Sequence, residues 1–161
     1  MNLTIATEKR LFCTFRLDGQ LFGVDMHDVK EVTAELACTR IAHAPNEVLG
    51  LVNIRGHIYL ALDLRRLLGM PDKWPTSESR LILFKSTVGN AFGVVVDETS
   101  EIQSAGLDQI EPFIPEDATS TATIRRVDLI SAVCKLPSEL LVLINPRRLL
   151  PIVEQQMMES H

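Results

Sequence analysis

The sequence predicts a mainly β fold made of two similar units, and two features of the chain carry this prediction. First, the apolar segments are short, rich in β-branched residues and bounded by Gly, Pro, Asn or Asp, as strands are. Second, short motifs in the first part of the chain return later in it. The predicted strands lie at residues 11–17, 21–24, 29–33, 50–54, 57–62, 80–85, 91–96, 130–136 and 140–144.

Length and composition indicate one folded domain over residues 1–161. A chain of 161 residues buries roughly 70% of the surface that it exposes when unfolded, so neither a disulfide nor a metal ion is needed for stability. The composition, 46% hydrophobic and 23% charged, is that of an ordinary globular protein. The cysteines, Cys13, Cys38 and Cys134, lie far apart, so we expect unpaired, buried thiols in a reducing compartment.

Charge and hydropathy argue against two classes of partner. The net charge is −5, and the basic residues form no stripe interleaved with aromatic residues, so we expect no nucleic-acid partner. Apolar runs such as residues 140–144 are far shorter than the ~18 to 20 residues that span a bilayer, and the N-terminus has no secretory signal. We therefore expect a cytoplasmic protein without direct membrane insertion.

The first recurring motif predicts an internal duplication. Phe22-Gly23-Val24 returns as Phe92-Gly93-Val94, an offset of 70 (92 − 22) that also places Leu11 on Leu81. Chance similarity between two strand patterns is the alternative explanation.

The second recurring motif predicts a strand that runs into a short helix. Residues 63–68 return as residues 145–150, an offset of 82 (145 − 63), so the second copy contains about twelve additional residues. We expect this insertion within residues 105–123. Asp63 and Asn145 can each cap the first free N–H groups of the helix that follows.

A search for catalytic motifs finds none. The chain has no Gly-x-Ser-x-Gly elbow and no Gly-x-x-x-x-Gly-Lys loop, and its histidines lack metal-ligand spacing. Asp97 and Glu98 are adjacent on a predicted strand and would point to opposite faces, which disfavours a paired acid–base site. We therefore expect no enzyme activity, no metal ion and no other cofactor. A hydrolase site assembled from distant residues stays an alternative.

The most informative stretch, residues 50–65, is typical of a strand, a tight turn, a second strand and a helix cap. Gly56 can adopt a positive φ without a Cβ clash, so we expect it in the turn, with Arg55 at the tip. There the guanidinium can bind a partner, remain in solvent or fold back onto a carboxylate such as Asp63 or Asp97.

The same stretch resembles the signature of the CheW family, which has a Gly, then Asn-Leu-Arg-Gly, then an apolar strand that ends in Asp-Leu-Arg. Here the signature stands as Gly50, Asn53-Ile54-Arg55-Gly56 and Asp63-Leu64-Arg65. The resemblance covers residues 11–150, including residues 22–25, 29–32, 93–98 and 143–145.

The resemblance implies two small five-stranded β-barrel subdomains that pack on a shared apolar core and perform no catalysis. We assign them to residues 11–69 and 80–150, with residues 151–161 as a short helix or a frayed tail. It also implies a chemotaxis adaptor that couples methyl-accepting chemoreceptors to the CheA histidine kinase. The regulatory domain of the kinase would bind end to end, and the receptor tip would dock between the subdomains.

The resemblance also implies roles for individual residues. The positions that match receptor contacts are Val29, Gly50, Asn53, Arg55 and Gly56, and the position that matches a coupling residue is Glu31. From the residues alone, Val29 fits plain core packing and Glu31 fits a solvated strand face.

The sequence departs from the family pattern at two places. Leu60 stands where the family often has Pro, and Ala132, Cys134 and Pro137 replace a Gly-rich loop before the last strand. The second change leaves the choice of partner at that end open. A small-molecule-binding β-barrel protein, with the groove between the subdomains as its pocket, is the alternative function.

Overall fold

The chain forms two β-sheets and a few short helices, so the predicted mainly β class is confirmed. The computed structural model describes residues 8–71, 73–113 and 126–159. The strands are β1 (Lys9–Leu17), β2 (Gln20–Asp25), β3 (Val29–Thr33), β4 (Cys38–Thr39), β5 (Val48–Ile54), β6 (His57–Asp63), β7 (Arg80–Phe84), β8 (Phe92–Val96), β9 (Glu98–Thr99), β10 (Gln103–Gly106), β11 (Ile110–Pro112), β12 (Ile130–Lys135) and β13 (Leu140–Ile144). The helices are α1 (Leu64–Leu67) and α2 (Leu149–Glu159), with 3-10 turns at Met26–Asp28, Leu107–Gln109, Val127–Leu129 and Pro146–Arg148.

The two sheets are larger and more open than the predicted five-stranded barrels. The seven-strand sheet has the order β10-β1-β2-β13-β12-β11, with β9 also paired to β1, and the six-strand sheet has the order β3-β7-β8-β6-β5-β4. Among the described residues, neither order returns to its first strand, so each sheet keeps two edges. The additional strands, β4 and β9 to β11, are only two to four residues long, too short for a clear period in the sequence.

The sheets divide the chain differently from the predicted ranges 11–69 and 80–150. Strands β1 and β2 lie in the seven-strand sheet beside β13, whereas β7 and β8 lie in the six-strand sheet beside β6. The reason is two parallel pairings, β2 with β13 and β6 with β8. Each sheet therefore combines the first hairpin of one repeat with the later strands of the other.

The registers of the two parallel pairs match the offsets of the repeated motifs. Phe22 lies opposite Val142, and Phe92 lies opposite Leu60. The two phenylalanines are 70 residues apart (92 − 22), and their partners Leu60 and Val142 are 82 residues apart (142 − 60). These are the two offsets read from the sequence. The repeat in the sequence is thus a repeat in hydrogen-bonding geometry.

One predicted equivalence is wrong by a residue. Thr14 lies opposite Gly23, and Leu83 lies opposite Gly93, so β1 and β7 correspond with an offset of 69 (83 − 14) rather than 70. Leu81 therefore corresponds to Phe12, not to Leu11. The cause is one additional residue between the paired positions, since Gly23 follows Thr14 by nine positions (23 − 14) and Gly93 follows Leu83 by ten (93 − 83).

Three apolar clusters stabilise the fold, and the largest takes side chains from both sheets and both helices. The second cluster belongs to the seven-strand sheet and the third to the six-strand sheet. On β13, Val142 and Ile144 face the shared core, while Leu141 and Leu143 pack in the second cluster. Because both faces are buried, such strands are continuous apolar runs instead of alternating ones.

Two predicted segments lie partly outside the described residues. Of the expected insertion at 105–123, residues 105–113 form the end of β10, a 3-10 turn and β11, and residues 114–123 lie outside the described part of the chain. Of the predicted tail at 151–161, residues up to 159 belong to α2, which buries Leu149, Leu150 and Val153 against the shared core. In the described ranges, no helix is long and apolar enough to cross a membrane.

The repeated Phe-Gly-Val motif allows a matched test of packing. A Cβ on Gly93 would lie 2.5 Å from the backbone oxygen of Ile82, whereas a Cβ on Gly23 would first meet the mobile end of the Leu141 side chain at 3.2 Å. We expect Gly93→Ala to lower the free energy of unfolding by about 2 kcal/mol or more, and Gly23→Ala by less than about 1 kcal/mol. Urea unfolding of both variants measures this, and equal losses would contradict the described packing.

Candidate functional site

The β5–β6 hairpin places the central part of the signature, Asn53 to Gly56, at its tip. Ile54 lies opposite His57, so Arg55 and Gly56 form a two-residue turn, with φ of +50° and +88°. Positive φ at both positions is the geometry that fits the twist of a two-residue hairpin. The side-chain oxygen of Asn53 accepts a hydrogen bond from the Gly56 N–H at 2.8 Å and fixes the turn. The prediction that Gly56 adopts a positive φ is confirmed.

Arg55 forms an ion pair across the six-strand sheet. Its Nη2 donates to the Glu31 carboxylate on β3, although β3 and β5 are far apart in the strand order. Nearby, Lys30 Nζ donates to the Tyr59 hydroxyl at 2.8 Å and lies 5.4 Å from the centre of that ring. Both contacts require the sheet to curl, so that β3 approaches the β5–β6 hairpin.

The alternative pairing of Arg55 with Asp63 or Asp97 is not what the structure has. Asp63 caps α1 by accepting from the N–H groups of Arg65 and Arg66, and Asp97 accepts from the Arg65 guanidinium. The Arg55 side chain remains 71% exposed despite its contact with Glu31, so most of its surface is available to a partner.

Gly50 has a structural requirement of its own. Its φ is +147°, at a register shift between Val48 and Gly50, and a Cβ would lie 2.4 Å from the Thr39 oxygen. Any side chain at Gly50 would push β4 away from β5. Gly50 is buried and offers no side-chain surface to a partner.

Val29 also lies away from the exposed tip. It is 8% exposed, belongs to the shared core and is opposite Phe84 on β7. Of the six predicted site residues, four lie around the hairpin tip. The other two lie away from it, Val29 in the shared core and Gly50 against β4. The four are Asn53, Arg55, Gly56 and Glu31, which we call the hairpin-tip surface.

A second polar cluster, around Arg65, was missed by sequence reasoning. The Arg65 side chain is 6% exposed, and its guanidinium binds Asp18 through both terminal nitrogens, at 2.8 and 3.1 Å. It also donates to Asp97 at 2.7 Å and to the Pro71 backbone oxygen at 3.0 Å. The available signals were the repeated Arg-Arg pair, 65–66 and 147–148, and the place of Arg65 in the family signature, but neither indicates which carboxylates Arg65 contacts.

The electrostatics of this cluster follow from its geometry. Hydrogen bonds from Arg65 hold the pKa of Asp18 below its usual value. Burial opposes the charge on Arg65, but its bonds to Asp18 and Asp97 outweigh that effect and raise the pKa of Arg65. The Arg65 guanidinium thus lies between two carboxylates, and Lys73 Nζ is 3.9 Å from Asp97.

Two concave regions lie at equivalent ends of the sheets. One, lined by Asp63, Arg65 and the segment 73–76, has a volume of about 20 Å³. The other, lined by Phe12, Asn145, Arg147 and their neighbours, is an open groove of about 400 Å³. In the described ranges, no three His, Cys, Asp or Glu side chains gather as metal ligands would.

The departures from the family pattern fall in two kinds of environment. Ala132 and Cys134 lie within β12, in the second cluster, instead of in a loop. Pro137 is in the turn between β12 and β13. Burial raises the pKa of the Cys134 thiol, as expected for a small apolar residue. Leu60 continues β6 without interruption.

The two signature glycines can be compared directly. A Cβ on Gly56 would meet nothing within 4 Å, so Gly56→Ala costs only the positive φ, about 1 kcal/mol. Gly50→Ala adds a backbone clash to a positive φ, and we expect a loss of about 3 kcal/mol. Thermal or urea unfolding of both variants measures the difference. A Gly50→Ala protein as stable as Gly56→Ala would refute the described contact with β4.

Comparisons with known proteins agree with this architecture. The family model for the CheW-like domain matches residues 11–154. The chemotaxis protein CheW of Klebsiella aerogenes is 28% identical over 149 residues, which is 92% of this chain and 86% of that protein. The chemotaxis protein CheW of Rhizobium meliloti is 31% identical over 103 residues, 64% of this chain and 66% of that protein.

A solved structure agrees as well. The crystal structure of the scaffolding protein TtCheW from Thermoanaerobacter tengcongensis matches with a TM-score of 0.74 and 26% identity, covering 85% of this chain and 89% of that one. With the signature at the β5–β6 turn and the family match over most of the chain, this protein belongs to the CheW-like domain family.

Proposed function

We propose that this protein is a non-enzymatic chemotaxis adaptor that couples methyl-accepting chemoreceptors to the CheA histidine kinase in the cytoplasm. The observation that carries the proposal is the hairpin-tip surface, where part of a family signature forms an exposed turn and the Arg55 side chain is 71% exposed. The names of the related proteins, chemotaxis and scaffolding proteins, support the same function.

The hairpin-tip surface suits a helical receptor tip. Leu51 and Ile58, both exposed, lie on the same face of the hairpin as Asn53, because Asn53 is opposite Ile58 and Leu51 is two residues away. A partner helix could bury these apolar side chains while its polar groups reach Arg55. An anchor of this kind, apolar with a charged donor at its rim, is typical of modest protein interfaces.

Glu31, Val29 and Gly50 contribute to this surface in different ways. Glu31 contacts the Arg55 guanidinium and so orients it, which fits a coupling role. Val29 packs β3 onto the shared core, and Gly50 permits β4 to approach β5. We assign both to support of the receptor surface and not to direct contact.

The kinase would bind at a sheet edge. Each sheet ends in short strands, β3 and β4 in one and β10 and β11 in the other, whose outer N–H and C=O groups have no neighbouring strand in the described part of the chain. Such edges can pair with a related domain by strand addition, and the kinase regulatory domain resembles this family.

The alternative, a small-molecule-binding protein, has less support. A ligand pocket of that type encloses its ligand, and a few polar groups of the pocket point towards the ligand. The larger concave region here, of about 400 Å³, is open, and its Arg10 and Arg147 already pair with Asp25 and Asp28. Most of the residues that line that region belong to the seven-strand sheet, and Asp28 belongs to the segment that connects the sheets.

Binding experiments test the proposal directly. Titration of the protein with the regulatory domain of its cognate CheA, and separately with a receptor signalling fragment, should give measurable association without any cofactor. A mixture of all three should form a ternary complex by size-exclusion chromatography. Absence of binding to either verified partner at high micromolar concentration would refute the adaptor function.

Arg55 is the residue that best separates partner contact from stability. Its ion pair with Glu31 is exposed on one side, so Arg55→Ala should change the free energy of unfolding by no more than about 1 kcal/mol. Receptor affinity should fall by about 1 to 3 kcal/mol, because a charged hydrogen-bonding anchor is lost from the interface.

A matched control is Lys135→Ala, which removes the exposed pair with Glu111 at 3.2 Å in the seven-strand sheet. Both variants are measured by urea unfolding and by receptor-fragment titration on the same samples. Unchanged affinity in the Arg55→Ala protein, or an equal loss in the Lys135→Ala protein, would contradict the assigned role of Arg55.

A further inference from the structure

The chain crosses between the two sheets at two places within its described part. It leaves the seven-strand sheet after β2, through Met26–Asp28, and enters the six-strand sheet at β3. It returns after β8, where Asp97 alone separates β8 from β9. The angle between the sheets therefore depends on the packing of their shared core and on the backbone at these two crossings.

At each crossing, an arginine from the second repeated motif binds a carboxylate. Arg65 donates to Asp97 at 2.7 Å, and Arg147 donates to Asp28 at 3.0 Å. The two arginines are related by the motif offset of 82 (147 − 65). The recurring arginine thus makes the same kind of contact in both repeats. It follows the end of a strand and binds a carboxylate of the segment that passes between the sheets.

The two crossings are unequal. The Arg65 side chain is 6% exposed and the Arg147 side chain 52% exposed. Among the described residues, Arg147 binds one carboxylate, beside an open groove of about 400 Å³, whereas Arg65 binds two carboxylates and a backbone oxygen. An exposed single ion pair contributes little to rigidity, while a buried arginine with several fixed partners restricts the groups around it.

Arg65 has a partner, Asp18, that connects it to the other sheet. Asp18 lies in the turn between β1 and β2, in the seven-strand sheet, with a φ of +50°. Its backbone N–H also donates to the Asp97 carboxylate at 3.1 Å. Arg65 follows β6 of the six-strand sheet, so its guanidinium connects one sheet to the hairpin tip of the other.

We infer that Arg65 is a positioning residue that fixes the orientation of the two sheets relative to each other, and that the crossing at Asp28 is the side on which they can move. The planar guanidinium is essential to this role, because it binds both Asp18 oxygens, Asp97 and the Pro71 oxygen at fixed angles. A lysine, with a point charge, cannot reproduce that geometry.

The test measures the distance between the sheets. Nitroxide amino acids, introduced by genetic encoding so that the native cysteines stay untouched, replace His57 and Ser138, which are exposed at the hairpin turns of the two sheets. Pulsed electron spin resonance then gives the distribution of distances. We expect one narrow peak for the parent protein, loss of that peak in Arg65→Met, and a narrow peak in the matched control Arg147→Met.

Two further variants separate positioning from stability. Arg65→Lys keeps the charge and should recover the stability lost in Arg65→Met without recovering the narrow peak. Asp18→Asn leaves the cluster with Arg65 and Asp97, so it should fold, and it should broaden the peak. If Arg65→Met does not fold, Asp18→Asn decides the question.

Three results would overturn the inference. The first is a narrow, unshifted peak in folded Arg65→Met. The second is a broadening of the peak in Arg147→Met equal to that in Arg65→Met. The third is a narrow peak in Asp18→Asn when Arg65→Met is unfolded. The measurement contains no receptor and no kinase, so its outcome does not depend on the proposed function.

Discussion

The fold depends on two parallel strand pairings, β2 with β13 and β6 with β8. Parallel strands cannot be joined by a tight turn, so each pairing brings together segments from distant parts of the chain. Once formed, each pairing places a hairpin of one repeat in the middle of the other repeat's sheet, with apolar side chains on both faces. The shared core, the curl of the six-strand sheet and the position of the β5–β6 hairpin all follow from this arrangement.

Two arginines of the protein lie in opposite environments, Arg55 on an exposed surface and Arg65 in a buried contact between the sheets. At the hairpin-tip surface, Arg55 has one carboxylate partner in the described part of the chain and most of its surface in solvent, which suits reversible contact with another protein. At the sheet crossing, Arg65 has several partners and almost no exposure, which suits a permanent structural contact. Both arginines belong to the same family signature, ten residues apart (65 − 55), and the structure gives them opposite environments.

The sequence was sufficient for local features and insufficient for long-range ones. Strand periods, the cap at Asp63 and the positive φ at Gly56 depend on neighbouring residues, and they were predicted correctly. The exchange of hairpins between sheets was not, because period and turn chemistry do not specify which distant strand becomes the neighbour. The Arg65 cluster was missed for the same reason, since its carboxylates are 47 and 32 residues away in the chain.

The exchanged hairpins have a consequence for synthesis on the ribosome. The six-strand sheet uses residues 29–96 only, so all of its strands are available soon after the middle of the chain emerges. The hairpin β1–β2, although made before the six-strand sheet, has to wait for β13, which ends at Ile144. During that interval its apolar faces lack their final neighbours, and such a nascent segment is exposed to misassembly or to capture by chaperones. This hairpin is thus translated before the strands of the six-strand sheet and reaches its native environment after them.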